Sequence, residues 1–144
     1  MNRFAIRSIV ATLSAFPLAL ALCLPQPAPV SAQEQKAQVI ELSAKKYEYS
    51  ISPLHVKVGA RILLKITATD HDHGFKIATA PDGAESNGAT GLLLTSPQEC
   101  WQLKKGETTA IDFVAQAPGT YTFKCCHSCG LGHRSMKGQI IVEQ

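Results

Sequence analysis

Charged residues are scarce in this chain of 144 residues, making up 17% of it against 45% hydrophobic residues. Intrinsically disordered chains and coiled coils need much more charge, so both classes are excluded. A surplus of one sign is also lacking, because setting aside Arg3 and Arg7 of the N-terminal segment leaves 12 basic against 11 acidic residues. This near balance of positive and negative charges argues against a nucleic-acid-binding protein, which would show a basic patch or stripe. Internal repeats and low-complexity tracts are absent.

Long hydrophobic runs are absent from most of the chain, and the one that occurs spans residues 9–24. It is interrupted by Pro17 and falls short of the ~20 residues that cross a bilayer comfortably. Arg3 and Arg7 precede it as a positive region, and the small residues Val30-Ser31-Ala32 follow it. This pattern is typical of an export signal that a signal peptidase removes.

We therefore expect residues 1–32 to be a signal peptide, residues 33–37 a short polar tether and residues 38–144 one domain. The remaining chain of about 112 residues suits a single domain. The expected location is periplasmic or secreted. If the leader is retained instead of cleaved, it tethers the protein to the outer face of the inner membrane.

Clear helical patterns are lacking too, whereas ten Gly and eight Pro residues mark frequent turns. Between the turns, short segments rich in β-branched and aromatic residues alternate apolar with polar side chains, as strands do. Residues 80–97, rich in Gly, Pro, Ser and Asn, are predicted to form a long surface loop. The pattern predicts an all-β fold, a β-sandwich with Greek-key connections. The predicted strands are 39–42, 47–51, 55–58, 61–69, 74–79, 107–115, 120–124 and 138–143.

The cysteines favour a metal site. Cys23 leaves with the leader, so the exported chain keeps Cys100, Cys125, Cys126 and Cys129. In an oxidising compartment the default for such a set is two disulfides. Three of the four crowd into residues 125–129 beside histidines, however, which favours metal binding.

Residues 125–136 lie between two predicted strands and combine thiols, imidazoles and the thioether of Met136. These soft donors suit copper rather than magnesium or calcium, and the thioether argues against zinc, which rarely uses one. Upstream, residues 70–75 (Asp-His-Asp-His-Gly-Phe) place two histidines where one predicted strand ends and the next begins. A sandwich can bring such a strand end and such a loop together at one of its poles.

The spacing Cys-x3-Cys-x3-His-x2-Met, with Asp-x2-His-Gly-Phe upstream, resembles the binuclear copper A domain of cytochrome c oxidase subunit II. It is also similar to the corresponding domain of nitrous oxide reductase, and both belong to the cupredoxins. The resemblance covers essentially residues 47–143. It implies a cupredoxin-like sandwich with the metal loop between the last two strands and a centre of two copper ions.

The resemblance also implies a role for each ligand residue. Cys125 and Cys129 would bridge the two coppers through their thiolates. Each copper would bind one imidazole, supplied by His73 and His133. The backbone carbonyl of His127 and the weak axial thioether of Met136 would complete the set. Such a centre shares one electron over two metals and leaves no position open to a substrate. An electron carrier is therefore implied rather than an enzyme, with a c-type cytochrome or a terminal oxidase or reductase as its partner.

Some features depart from the oxidase pattern. The oxidases usually place Glu where His127 stands, and the membrane helices usual before their domain are missing unless the leader is retained. Only Trp101, in a different place, could stand in for the aromatic cluster that receives electrons from cytochrome c. These departures favour a free-standing or tethered relative. The alternatives are a periplasmic copper storage or delivery protein with a mononuclear cupredoxin site, and an accessory subunit of a respiratory oxidoreductase.

Individual site residues keep alternatives. His71, two residues before His73, is the rival ligand. His127 could bind through its imidazole, and Met136 could be core filler. Asp70 is expected either to orient a ligand histidine by hydrogen bonding or to be solvated.

Cys100 and Cys126 are left unused by the copper assignment. If the strand before Cys126 stays extended, Cys126 points away from Cys125 and so away from the metal. Outside the cytoplasm an idle pair tends to oxidise, so we expect a disulfide between Cys100 and Cys126 if their α-carbons come close enough. A bridge between Cys125 and Cys126 would consume a ligand.

Overall fold

The computed structural model describes residues 36–84 and 90–144, and the strands within them confirm the all-β class. The predicted signal peptide and most of the tether fall on residues 1–35, outside the described part, and stay predictions. No helix in the described part is long and apolar enough to cross a membrane. A short 3₁₀ turn spans His133–Ser135. The strands are β1 (Gln38–Lys45), β2 (Glu48–Tyr49), β3 (Leu54–Lys57), β4 (Arg61–Ala68), β5 (His73–Ile77), β6 (Leu92–Leu94), β7 (Trp101–Leu103), β8 (Thr108–Ala115), β9 (Gly119–Lys124) and β10 (Lys137–Glu143).

Strand β4 shows how the alternation of side chains builds the core. Every second residue, from Ile62 to Ala68, is fully buried, and the residues between are partly exposed. Successive side chains of a strand point to opposite faces, so one face of β4 enters the core and the other meets solvent. β8 follows the same rule with Ile111 and Phe113 buried, and it pairs with β4 antiparallel.

The strands form two five-stranded sheets. One has the order β2-β1-β4-β8-β6 and the other β3-β10-β9-β5-β7. β1 pairs with β4, and β3 with β10, in parallel; the other neighbours are antiparallel. The chain crosses from one sheet to the other at every step from β2 to β9. This is the sandwich with Greek-key connections that the sequence predicts.

An aromatic cluster joins the two sheets. The ring centroid of Tyr49, in β2, lies 5.6 Å from that of Phe75 and 5.1 Å from that of Phe123, in β5 and β9. The rings of Phe75 and Phe123 stack with centroids 5.1 Å apart. Because Phe75 follows His73 by two residues and Phe123 precedes Cys125 by two, the core fixes the two strand ends that lead into the metal-binding region.

The prediction of a loop over residues 80–97 is wrong in part. Leu92–Leu94 forms β6, which pairs with β8, and Leu92 is buried. Trp101–Leu103 forms β7 against β5, also without a prediction. Strands of three residues are too short for alternation to be recognised, since that signal needs about four to eight residues. The predicted strand at residues 47–51 shrinks to Glu48–Tyr49.

The side-chain alternation of β4 can be tested with two adjacent leucines. Leu64→Ala removes a fully buried side chain and should lower the free energy of unfolding by about 2–5 kcal/mol. Leu63→Ala, the matched control on the opposite face, should cost about 1 kcal/mol or less. Urea denaturation of both variants measures the difference, and equal losses would contradict the assigned facing of β4.

Candidate metal centre

The loop at residues 125–136 leaves β9 and returns as β10, as predicted. The strands pair Lys124 with Lys137 just before the loop opens. The backbone N–H of Cys125 then donates to the carbonyl of Met136 over 2.9 Å. The ladder thus continues one step into the loop and holds the first and last expected ligand residues side by side.

Two free thiols meet at the base of this loop. Cys125 and Cys129 are buried, and their Sγ atoms lie 3.5 Å apart. The Cys125 thiol donates to the backbone carbonyl of His127 over 3.1 Å, so this carbonyl points into the site. Burial, and then the hydrogen bond with the Cys125 thiol, raise the pKa of Cys129 to about 11. A metal ion that binds here must displace thiol protons, so its affinity rises with pH.

The histidines of the site carry unsatisfied nitrogen atoms. His73 is fully buried, and its Nε2–H donates to Oδ1 of Asp70 over 2.7 Å, which leaves the lone pair on Nδ1 free. That Nδ1 and the Nδ1 of His133 are buried without a hydrogen-bond partner. Within residues 36–84 and 90–144, no other buried side-chain nitrogen or oxygen atom lacks a hydrogen-bond partner. An unpaired buried acceptor is costly, and a bound metal ion would satisfy each nitrogen.

Asp70 holds the histidine segment in place. Its carboxylate accepts from His73, from the side chain and backbone N–H of His71, and from the backbone N–H of Lys46. Partial burial pushes the pKa of Asp70 upward, but the hydrogen bonds from His73, Lys46 and His71 outweigh burial and hold it well below its usual range. An ionised carboxylate on Nε2 fixes the tautomer of His73 that offers Nδ1 to a metal.

His71 lies beside the site as a bridge. Its Nδ1 contacts Oδ1 of Asp70 and its Nε2 contacts the backbone carbonyl of Cys129, each over 2.9 Å. One of its ring nitrogens lies within 4.8 Å of a ring nitrogen of His73 and of Sγ of Cys129. Because both ring nitrogens of His71 already face oxygen acceptors, while Nδ1 of His73 does not, the contacts favour His73 as the ligand. His71 links the two chain segments of the site.

The remaining expected ligands are Met136 and His127. Met136 is fully buried at the end of the loop. The imidazole of His127 is half-buried near Asp72. The pKa of Asp72 is lowered chiefly by the backbone N–H of Lys105, then by Lys104, and slightly by His127. The backbone carbonyl of His127, by contrast, points toward the Cys125 thiol.

Cys100 and Cys126 form a disulfide, with α-carbons 5.9 Å apart, while Cys125 stays free. The bridge packs against Gly74, the neighbour of His73 in β5. A Cβ on Gly74 would lie 2.8 Å from Sγ of Cys126 and 3.0 Å from Sγ of Cys100, closer than such atoms approach. The disulfide thus packs the ligand loop directly against the backbone of β5, the strand that carries His73.

The donor set fits copper. Two thiols, two imidazole nitrogens, a thioether and a carbonyl are soft or borderline donors, and all come from one buried pole of the sandwich. Hard cations such as magnesium and calcium prefer oxygen ligands. The family profile of the Cupredoxin-like domain matches residues 13–142, most of the chain. This chain belongs to the cupredoxin family.

The curated relatives of this cupredoxin include cytochrome c oxidase subunit 2 of Thermus thermophilus. It is 31% identical over 98 residues, which make up 68% of this chain and 60% of the relative. A second subunit 2 sequence from Thermus thermophilus is also 31% identical over 98 residues and is covered over 48% of its length. The cupredoxin therefore spans about half to three-fifths of the relatives it matches.

Solved structures share the cupredoxin fold. The periplasmic domain of subunit II of cytochrome oxidase from Bradyrhizobium japonicum has a TM-score of 0.55 at 17% identity, covering 74% of this chain and 83% of that one. Reduced auracyanin from Roseiflexus castenholzii has a TM-score of 0.54 at 21% identity, covering 75% and 99%. The predicted resemblance to subunit II is confirmed, and the relation extends to other cupredoxins.

Sequence reasoning missed the tyrosines that enclose the cupredoxin's metal pole. The hydroxyl of Tyr49 donates to the carbonyl of Gly74 over 2.7 Å. Burial, and then the charges of Cys125 and Cys129, raise its pKa. The ring of Tyr47 leaves no room for a Cβ at Gly132 of the ligand loop. The spacing of the two tyrosines signals a shared face, but not which loop that face covers.

Removing the disulfide should loosen the fold. A bridge across a sequence separation of 26 residues is worth about 3.5 kcal/mol in the loop-entropy treatment. Cys100→Ser/Cys126→Ser should lower the free energy of unfolding by about that amount in guanidinium denaturation. Because either single change breaks the same bridge, each should cost nearly as much as the double change. Additive losses would show that no bridge links the two positions.

Proposed function

We propose that this cupredoxin is an exported electron carrier that binds two copper ions as a binuclear, copper A-like centre. One observation carries the proposal: two buried thiols lie 3.5 Å apart in a pole where two imidazole nitrogens lack partners. One thiolate suffices for a mononuclear cupredoxin site, which typically uses a single cysteine with two histidines. A second thiolate at bridging distance, with one imidazole for each metal, fits a pair of coppers.

Contacts and burial support a role for each proposed ligand. Cys125 and Cys129 would hold both ions, and His73 and His133 would each bind one through Nδ1. The carbonyl of His127 and the thioether of Met136 would be the weaker ligands. When bound, the copper pair supplies one exchangeable electron shared over both metals.

The protein supplies rigidity and exclusion of water. His73 and Met136 are fully buried, and the thiols nearly so. The Cys125–Met136 hydrogen bond closes the loop, and Asp70 fixes His73. A rigid, dry ligand set changes little between charge states, which keeps the reorganisation energy of electron transfer small. The proposed ligand set leaves no position for a substrate, so the protein is proposed to be a carrier rather than an enzyme.

One cluster of metal-binding side chains supports a second function. His71, His73 and Cys129 bring three ligand atoms within 4.8 Å of one another, which is enough for one copper ion. A copper storage or delivery protein with such a mononuclear site is the alternative. It would need one ring nitrogen of His71 to give up its contact, either with Asp70 or with the Cys129 carbonyl.

The partner and location are proposed from the relatives and the leader. The similarity to cytochrome c oxidase subunit 2 supports a redox partner such as a c-type cytochrome or a terminal oxidase or reductase. It also supports a role as accessory subunit of a respiratory oxidoreductase. The N-terminal segment at residues 1–32 supports export to the periplasm, with tethering to the inner membrane if it is retained.

Copper content and spin resonance separate the two functions. The purified protein should hold two coppers per chain and take up one electron. An unpaired electron shared over both nuclei should give more hyperfine lines than a single copper nucleus gives. One tightly bound copper with the single-nucleus spectrum would favour the storage or delivery function instead.

Substitutions within the loop should separate side-chain from backbone ligation. Cys129→Ser should abolish the binuclear spectrum, because an alcohol replaces a soft bridging sulfur poorly. Met136→Leu should retain copper with a shifted reduction potential. His127→Ala should retain both coppers, with less than about a tenfold change in affinity, because its carbonyl remains.

The matched control for His127→Ala is His133→Ala, which removes an imidazole from the same loop. It should lose copper, or the shared spectrum, because its Nδ1 has no substitute. Metal analysis and spin resonance are measured together on all four variants. If His127→Ala loses copper as fully as Cys129→Ser, the imidazole of His127 is a ligand and the assignment must be redrawn.

A further inference from the structure

Three lysines stand in a row across neighbouring strands at the metal pole. Lys76 of β5 lies opposite Lys124 of β9, and Lys124 lies opposite Lys137 of β10. Directly paired residues project from the same face of a sheet. All three are exposed, and Phe123 on the alternate face is buried, so the row points to solvent. We call these three residues the lysine row.

The lysine row is electrostatically unfavourable in the isolated protein. Like charges directly opposite one another in a sheet repel. Lys76 contacts Glu99 over 3.3 Å, but that carboxylate is almost fully exposed. Within the described part of the chain, Lys124 and Lys137 have no acidic partner. Among residues 36–84 and 90–144, two adjacent positive charges therefore stay uncompensated.

The position of the row connects it to the metal centre. Lys124 immediately precedes Cys125, and Lys137 immediately follows Met136. Exposed Arg134, in the turn between them, adds positive charge on the ligand loop. A molecule that docks on the row therefore comes within one residue of two expected ligands.

The surface beside the row suits a polar contact. A groove of about 350 Å³ adjoins Lys137 and is lined by Ser52, Thr122, Gly138 and Gln139, with no acidic side chain. Hydroxyl and amide groups can hydrogen-bond a partner's side chains without adding charge. The patch combines a charged row with an uncharged polar groove, as at the rim of transient interfaces.

We propose that the lysine row is the docking surface for a redox protein partner with an acidic surface. This inference rests on the proposed electron-carrier function and names the chemistry of the partner. Complementary charge would steer the partner to the pole through which the electron leaves or enters. The 12 basic and 11 acidic residues outside the N-terminal segment nearly balance, which argues against a general polyanion binder.

The first test measures electron exchange with small charged oxidants. Reduced, copper-loaded protein passes one electron to ferricyanide, an anion whose iron(III) becomes iron(II). It passes one electron likewise to tris(phenanthroline)cobalt(III), a cation whose cobalt(III) becomes cobalt(II). Lys76→Gln/Lys124→Gln/Lys137→Gln should slow the ferricyanide reaction about tenfold at low ionic strength and speed the cobalt reaction.

A matched control removes the same charge elsewhere. Lys36→Gln/Lys57→Gln/Lys65→Gln changes exposed or half-exposed lysines away from the ligand loop. Lys57 pairs with Glu143 at the far end of β10. Lys65 lies in the middle of β4, and Lys36 precedes the end of β1 that pairs with the start of β4. This control should change either rate by less than about twofold. Equal effects of the two triple variants would reduce the row to a contribution to net charge and overturn the proposal.

The second test does not depend on electron exchange. Reduced protein labelled with ¹⁵N is titrated with decaglutamate as the acidic probe. Amide shifts should concentrate at Lys76, Lys124 and Lys137 and disappear in the row variant, while the control triple variant keeps them. Shifts spread over the far pole would overturn the proposal.

The outcomes separate this inference from the proposed function. If the protein exchanges electrons with neither oxidant, the carrier function fails, while the decaglutamate titration still tests the row. If exchange occurs but decaglutamate does not contact the row, the docking surface fails alone. If phosphatidylglycerol vesicles bind through the row and decaglutamate does not, the row faces a lipid surface and the protein partner is excluded.

Discussion

The antiparallel pairing of β9 with β10 is the interaction on which the metal centre depends. It places Cys125 beside Met136 and closes the ligand loop with a backbone hydrogen bond. A slip of one residue in this register would turn every side chain of β10 to the other face. The ring of Phe123 packs where a Cβ of Gly138 would otherwise lie, so the glycine lets the two strands keep this register beside the core.

The buried polar groups of the pole make it costly when no metal ion is bound. Two imidazole nitrogens without partners each cost about 1–3 kcal/mol in lost hydration. Burial raises the pKa of the Cys129 thiol to about 11, so this thiol keeps its proton at neutral pH. The packing of the aromatic cluster and of the two sheets provides the stability that offsets this free-energy cost. A metal ion that satisfies the nitrogens and replaces the thiol protons converts the same burial into binding energy.

How much could be predicted depended on the length of each pattern. β4 and β8 were predicted because alternation persists over eight residues in each. The candidate ligands were identified because cysteine, histidine and methionine rarely recur at such spacing by chance. The three-residue strands β6 and β7 lie below the length at which alternation is readable. The roles of Lys46 and Tyr49 depend on chain segments that meet only in the folded protein. The lysine row likewise exists only through the pairings of β5, β9 and β10.

The contacts that hold the loop bear on whether the proposed site carries electrons or delivers copper. Delivery requires that the ligands open to an acceptor. Here the loop is held by the β9–β10 ladder, by the disulfide on Gly74 and by the contact of His71 with the Cys129 carbonyl. Opening the pole would break these contacts together and expose the two thiols, so release of a metal ion would be slow. Electron transfer would need no such opening, because the electron would pass through a closed ligand shell. A site held by these three sets of contacts is therefore better suited to electron transfer than to the release of metal ions.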